Sequence, residues 1–166
     1  MRNIVFMIDF KKDGDTKKEY QYSIDSWKRF CDRHECDLIV MEEPVLPVED
    51  MHIIWQRYYL FDMLDSNKID YGQILLVDAD TIVHPTCPNI FDYTEHYHNA
   101  IFTEDKFNFW EYGNSGFQIV NKTHRPFFDK MRKFYFEHKD TLQYIQKTYG
   151  VGTDQTPLNY MLKKHG

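Results

Sequence analysis

The stretch ILLVDADTIV, residues 74–83, places two aspartates, Asp78 and Asp80, directly after four consecutive apolar residues. A short, continuous apolar run is typical of a central strand in a parallel sheet, because both faces of such a strand are covered. We therefore predict a buried strand over Ile74–Val77 that leads into the aspartate pair. If the strand continues through the pair, the two side chains point to the same side, about 6.5 Å apart.

Two carboxylates at that spacing repel each other, and a divalent cation bound between them would remove the repulsion. Hard oxygen ligands favour Mg²⁺ or Mn²⁺ over metals that prefer sulfur or nitrogen. The pair therefore predicts a metal site at the end of the strand. The alternative is purely structural, since aspartate is also common at strand ends and in turns. In that interpretation Asp78 ends the strand and Asp80 begins a turn.

Upstream of the aspartate pair the sequence alternates between strand and helix periodicity. Residues 3–8 and 37–41 read as strands, and residues 51–66 read as a helix after a proline-containing connection. Between the two strands we predict a further helix that Ser23 caps. This βαβαβ pattern predicts right-handed crossovers and an open α/β sheet, with ligands bound beyond the carboxyl ends of the strands. The apolar face of the first helix comprises Ile24, Trp27, Phe30, Cys31 and His34.

Downstream of the pair we expect two more strands and two more helices. The strands are predicted over residues 100–103 and 117–120, and a helix over 126–138. The last helix is predicted to start near Thr153 or Thr156, because proline is tolerated in the first turn that follows. The 166 residues form one predicted domain with a single core.

The overall charge and the cysteines limit the possible partners and location. The net charge of −6 argues against nonspecific nucleic-acid binding, which needs a positive surface. The first ten residues have neither the apolar length of a membrane span nor the pattern of a signal peptide. Three cysteines without CxxC spacing are typical of free thiols in a reducing compartment. We therefore predict a cytoplasmic protein with no membrane span.

Four stretches in order give the chain a family resemblance. They are Trp55-Gln56-Arg57, then ILLVDADTIV continuing to PNIFD, then GNSGFQIVN, then TDQTPLN. In this order and spacing the sequence resembles the DxD-containing glycosyltransferases of the GT-A fold, especially the glycogenin-like, galactosyltransferase and mannosyltransferase groups. The resemblance spans residues 3–159 and implies an open, mixed, mostly parallel sheet flanked by helices. It also implies a nucleotide-sugar donor, with a UDP-sugar favoured over a GDP-sugar.

The resemblance implies a Mn²⁺ or Mg²⁺ site with Asp80 as the direct ligand. Asp78 is similar to the family residue that contacts the ribose and, directly or through water, the metal. Relatives continue past this region and supply a later histidine as a further ligand. In this chain His165 is the residue available for that role, unless water replaces it or the chain is a minimal or truncated version.

The resemblance also implies residues that contact the donor sugar. Arg57 is similar to a basic residue near the nucleotide sugar, although the face of a solvated helix is the alternative. The segment containing Asn114, Ser115 and Gly116 resembles one that lines the donor sugar, where glycine lets the backbone approach closely. Asp154 and Gln155 resemble a pair that faces the transferred sugar, and because that pair occurs in retaining groups we expect retention. Helix capping is the alternative role for this pair.

An aromatic stretch precedes that segment and predicts an acceptor platform centred on Trp110, because sugar C–H faces stack on rings. A core or interface role is the alternative for these rings. If the enzyme instead inverts configuration, an acid in the same region would act as the general base. The other rings are Phe107, Phe109 and Tyr112, and the candidate acids are Glu104, Asp105 and Glu111.

Three other functions share parts of these patterns. A haloacid-dehalogenase-type phosphatase would use Asp78 as the nucleophile and Asp80 as the acid and base, but that family has the motif near its start and a later acidic pair. A nucleotidyltransferase would need a glycine-rich loop after the first strand, which the sequence lacks. A noncatalytic nucleotide-sugar binding module would keep the pocket without turnover. The sequence therefore favours a metal-dependent hexosyltransferase acting on a hydroxyl acceptor.

Overall fold

The computed structural model describes residues 1–10, 20–94, 100–101 and 113–165. One five-stranded sheet runs through these residues in the order β2-β1-β3-β5-β4. Strand β1 pairs in parallel with β2 and β3, whereas β5 pairs antiparallel with β3 and β4, so only β5 is reversed. The strands are β1 Ile4–Ile8, β2 Asp37–Met41, β3 Ile74–Val77, β4 Ala100–Ile101 and β5 Phe117–Val120.

Strands β1 and β3 form the centre of the sheet, as the apolar runs predict. Every residue of β3 is buried, and its side chains alternate between two separate hydrophobic clusters. Ile74 and Leu76 contribute to one cluster, and Leu75 and Val77 contribute to the other, because successive side chains of a strand point to opposite faces. The sheet therefore has a packed layer on each face.

The two layers are unequal. Helix α1, Gln21–His34, covers one face, where Trp27 and Phe30 pack against β1 and β3. The other face carries a 3₁₀ helix and three α-helices, whose aromatic side chains include Trp55 and Phe128. Large rings bury the most apolar area per residue, so this layer holds the main core. Its elements are the 3₁₀ helix Ile53–Tyr59, α2 Leu60–Ser66, α3 Arg125–Tyr149 and α4 Gln155–His165.

The predicted cap of the first helix is wrong. Helix α1 begins at Gln21, so Ser23 lies inside the helix rather than at its start. The Ser23 side chain is buried, and its hydroxyl donates a hydrogen bond to the backbone carbonyl of Thr81. Ser23 therefore fastens the helix to the segment that follows β3.

The helix predicted over residues 51–66 begins later, and its first half has 3₁₀ geometry. In a 3₁₀ helix, residues three apart lie above one another. Trp55 and Tyr58 have this spacing, and both are fully buried in the core. The chain changes to α-helical geometry at Leu60 and continues to Ser66.

Helix α3 begins at Arg125 but does not end at His138 as predicted. The backbone of His138 is non-helical, with φ −123° and ψ 16°, and the helix resumes beyond it to Tyr149. Leu142, which is buried, keeps the second part against the core, and Gly150 ends it with a positive φ of 64°. The predicted boundary is therefore a kink. Among the described helices, none has both the length and the apolar character needed to cross a membrane.

Candidate functional site

A cavity of about 650 Å³ lies at the carboxyl ends of β1 and β3, the edge where open α/β sheets bind ligands. We call it the strand-end cavity. Because β5 runs in the opposite direction, the turn that precedes it, residues 113–116, reaches the same edge. The start of α4 closes another side. Charged side chains that line the cavity are Asp9, Arg57, Asp78, Asp80 and Asp154.

The Arg57 side chain joins three of the segments that build this cavity. Arg57 as a whole is only 8% exposed. Nη2 donates to Oδ1 of Asp78 at 2.7 Å, and Nη1 donates to the backbone carbonyl of Ser115. Nε donates to the carbonyl of Ile54 at 3.0 Å and lies 3.8 Å from Oδ2 of Asp154. The guanidinium therefore bridges segments that are far apart in sequence. The alternative position for Arg57, on a solvated face of its helix, is wrong.

The charges of this cluster depend on one another. Burial by itself would lower the pKa of Arg57, but the neighbouring carboxylates of Asp154 and Asp78 outweigh it and raise the pKa. Burial raises the pKa of Asp154, and the positive charge of Arg57 opposes that rise. Asp154 is 4% exposed, and its Oδ2 has no hydrogen-bond donor among the described residues. Removing the arginine would leave this carboxylate buried without a compensating charge.

Gly116 lies directly against the carboxylate of Asp78. A Cβ atom at this position would collide with Oδ2 of Asp78, so a side chain fits here only if the Asp78 carboxylate moves. The backbone supports the same approach, because the amide of Asp78 donates to the carbonyl of Gly116 at 2.9 Å. Oδ1 of Asn114 accepts from the amide of Gly116 at 2.6 Å and shapes the turn. The glycine therefore permits close contact between two strand ends.

The predicted bounds of β3 are confirmed, and the aspartate pair lies in a turn after the strand, as the structural alternative predicts. The strand ends at Val77, and the carbonyl of Asp78 accepts from the amide of Thr81 at 3.1 Å and from its hydroxyl at 2.6 Å. This turn is fixed to α1, since the Trp27 indole donates to the Thr81 hydroxyl at 3.0 Å. Both aspartates still line the cavity. The turn arises because Thr81 satisfies the free carbonyl where the strand pairing ends.

The two aspartates have different surroundings. The Asp78 side chain is 41% exposed and is held by Arg57. The Asp80 side chain is exposed, and no described residue forms a hydrogen bond or ion pair with its carboxylate. Of these two aspartates, Asp80 is therefore the one whose carboxylate is more available to bind an ion from solution.

The segment before α4 packs against the 3₁₀ helix through two adjacent residues. The Trp55 indole donates to the Thr153 hydroxyl at 3.0 Å, and Arg57 faces the next residue, Asp154. Oε1 of Gln155 accepts from the amide of Ser115 at 3.3 Å. The structure therefore brings the predicted residues Asp154, Gln155, Ser115 and Arg57 together at one wall of the cavity.

Sequence reasoning missed several residues of this region. Asn159 is 1% exposed. Its side-chain Oδ1 accepts a hydrogen bond from the backbone amide of Gly113 at 2.8 Å, and its Nδ2 donates to the backbone carbonyl of Gly113 at 2.8 Å. It connects α4 to the turn before β5. Asp9 and Tyr20 line the cavity as well. The signal for Asp9 was present, because it directly follows a predicted parallel strand.

His165 does not join Asp78 and Asp80. It lies at the far end of α4, a helix of 11 residues and therefore about 16 Å long, and it lines a different cavity. In the part of the chain that the structure describes, no three His, Cys, Asp or Glu side chains form a metal-binding group. The three-ligand set implied by the family resemblance is thus not assembled. Trp110 and the neighbouring rings and acids lie outside the described residues.

A solved structure has a fold similar to that of this chain. The crystal structure of a glycosyltransferase involved in the glycosylation of the major capsid of PBCV-1 matches this chain with a TM-score of 0.66 and 14% sequence identity. The match covers 91% of this chain and 77% of that chain. This chain therefore shares its fold with that glycosyltransferase. The predicted GT-A-like α/β fold is therefore confirmed. No family model and no curated protein sequence matches the chain.

Proposed function

We propose that the protein is a metal-dependent glycosyltransferase that moves a hexose from a nucleoside-diphosphate sugar to an acceptor hydroxyl. The observation that carries the proposal is the arrangement of Asp78, Asp80 and Asp154 around one cavity at the carboxyl ends of the parallel strands. The solved glycosyltransferase with the same fold supports this reaction class. We favour a UDP-sugar donor, with a GDP-sugar as the alternative.

The carboxylates fit a divalent cation that a substrate helps to bind. Mg²⁺ and similar hard ions are usually held by one or two carboxylates together with substrate phosphates, so a three-residue protein cage is not required. Asp80 would supply an unpaired carboxylate, and Asp78 would supply a second one whose orientation Arg57 fixes. When bound, Mn²⁺ or Mg²⁺ supplies Lewis-acid charge at the departing diphosphate.

Arg57 has a different proposed role from the one the family resemblance implies. Nitrogen atoms of its guanidinium already donate to Ile54, Ser115 and Asp78. A buried guanidinium with this many internal bonds acts mainly as a support, because direct binding to a diphosphate would cost some of them. We therefore assign it to orienting Asp78 and the turn before β5.

The donor sugar would lie against the wall of the cavity that this turn and the start of α4 form together. Ser115, Asp154 and Gln155 line that wall, and Asn114 precedes Ser115 in the same turn. Positive charge grows on the sugar ring as the bond to the diphosphate breaks, so a carboxylate there stabilises the transition state. Retention of configuration is part of this proposal because of the resemblance of Asp154 and Gln155 to retaining groups.

The cytoplasmic location stays a prediction. In the structure the three cysteines are free thiols, which fits a reducing compartment. The described helices are too short or too polar to span a membrane. Neither observation selects one compartment, so the location is part of the proposal.

The direct test is to incubate the protein with UDP- and GDP-sugars, with Mn²⁺ and with a chelator. Release of nucleoside diphosphate that requires the metal supports the transferase, because water replaces the missing acceptor at a low rate. Phosphate release from a sugar phosphate would instead support a phosphatase. Donor binding without any turnover, even with a panel of saccharide acceptors, would contradict the transferase and favour a noncatalytic binding module.

A further inference from the structure

A second cavity, of about 290 Å³, lies between α3 and α4 on the layer that carries the main core. We call it the α3–α4 cavity. Its lining residues lie near the far end of α4 and at the kink of α3, so α4 runs from the strand-end cavity to the α3–α4 cavity. The lysine, histidine and glutamate residues that line it are Lys130, Lys133, Glu137, His138, Lys164 and His165.

The charges in this cavity are mostly positive and only partly compensated. Glu137 is the one acid in the lining, and it lies 3.7 Å from Nζ of Lys133. Lys130 and Lys164 have no acidic partner among the residues that the structure describes. The chain as a whole carries a net charge of −6, so this local excess of positive charge runs against the average. Like charges around a small space repel each other, and a bound anion relieves that repulsion.

Aromatic rings form part of the same cavity. The Phe134 ring lies 4.4 Å from the His138 ring and 6.2 Å from the Tyr160 ring, measured between centroids. Nζ of Lys164 lies 5.6 Å from the Tyr160 centroid, a cation–π contact. Contacts of this kind restrict the lysine without neutralising its charge. The ammonium group therefore remains available to an anion.

We propose that the α3–α4 cavity is a second binding site, which takes a phosphate group. Lysines bind phosphate as point charges, and here they approach from two helices, which suits a compact anion with two charges. The strand-end cavity is unsuited to phosphate in the absence of a cation, because carboxylates predominate among its charged groups. The phosphate group belongs either to a soluble ester or to a lipid headgroup, and both present the same chemistry.

The test follows the His138 and His165 imidazole resonances by NMR while inorganic phosphate or glucose 6-phosphate is added. A chelator keeps divalent ions away from the strand-end cavity. We expect saturable shifts at both histidines, and none with glucose. The Lys130→Gln/Lys164→Gln double variant should bind about 2- to 25-fold more weakly, since each exposed ion pair contributes about 1.4- to 5-fold.

Two controls make the outcome specific. Lys28→Gln removes an exposed lysine of α1, on the opposite face of the sheet, and should bind phosphate as the wild type does. Asp80→Asn should also leave phosphate binding unchanged, which separates this site from the proposed donor site. Non-saturating shifts, or equal affinity in the double variant with an unchanged melting temperature, would overturn the proposal.

Vesicles identify the source of the phosphate group. The wild-type protein is sedimented with vesicles of phosphatidylcholine alone and with vesicles that also contain phosphatidic acid. Cosedimentation that requires phosphatidic acid and is lost in the double variant supports the site and assigns the group to a lipid. Saturable binding of glucose 6-phosphate with no cosedimentation supports the site and assigns the group to a soluble ester.

Discussion

The strand-end cavity has two parts that differ in how their charges are held. In the buried part, Arg57 bridges Asp154, Asp78 and the carbonyl of Ser115, and the guanidinium is almost inaccessible to solvent. In the open part, Asp80 lies in an exposed turn, and none of the described residues pairs with its carboxylate. The comparison indicates that Arg57 supports the fold, whereas Asp80 is available for ligands. Changes at these two residues should therefore separate stability from binding.

Arg57→Met should have the largest effect on stability. It leaves Asp154 buried without a positive neighbour, and breaking one partner of a buried charge pair costs about 3–5 kcal/mol. Urea unfolding followed by circular dichroism measures the loss. Arg57→Lys should recover only part of it, because an ammonium group cannot reproduce the forked bonds to Asp78 and Ser115. A loss below about 0.5 kcal/mol in Arg57→Met would contradict the supporting role.

Gly116→Ala should be the next most damaging change. The new Cβ would collide with the Asp78 carboxylate, and overpacking of this kind costs about 1–3 kcal/mol. Gly152→Ala is the matched control, because its Cβ would meet Ile54 and Asp154 at ordinary contact distances of 3.5 and 3.8 Å. Both variants are measured by urea unfolding. If they unfolded alike, close packing at Gly116 would not be what fixes the position of Asp78.

Thr153→Val tests the contact that fixes the start of α4. Valine keeps the volume but removes the acceptor of the Trp55 indole bond, leaving a buried N–H group without a partner. We expect a loss of about 1–2 kcal/mol in the free energy of unfolding. Thr153→Ser, which keeps the hydroxyl, should lose less. The reverse order of these two variants would indicate that the methyl group, and not the hydrogen bond, matters at this position.

Sequence patterns predicted the elements that obey simple periodicity. The buried strand β3, the position of the aspartate pair at its end and the α/β order follow from apolar runs that alternate with amphipathic stretches. A turn at the aspartate pair was one of two alternatives, and the sequence could not decide between them because Thr81 and Trp27, from outside the strand, fix its geometry. The kink at His138 was read as a helix end, since a local break looks the same as an end in sequence.

The internal charge network could not be derived from the sequence. Whether Arg57 faces solvent or protein depends on Ser115 and Asp154, which lie far from it in sequence and reach it only through the order of the strands. The role of Asn159 could not be inferred from the sequence either. Its side chain binds the backbone of Gly113, which is distant in sequence, and a backbone partner leaves no residue-type pattern. The periodicity of apolar residues indicates which face of a helix or strand is buried. It does not indicate which polar atoms form hydrogen bonds with one another at the edge of the sheet.

Asp80→Asn provides the most direct test of the central claim. Mn²⁺ is titrated into the wild-type protein and the variant in the presence of UDP, and free Mn²⁺ is followed by electron paramagnetic resonance. We predict that the variant binds Mn²⁺ at least about tenfold more weakly, while its free energy of unfolding stays within about 0.5 kcal/mol of the wild type. Equal Mn²⁺ affinity in the two proteins would contradict the assignment of Asp80 to a metal site in this cavity.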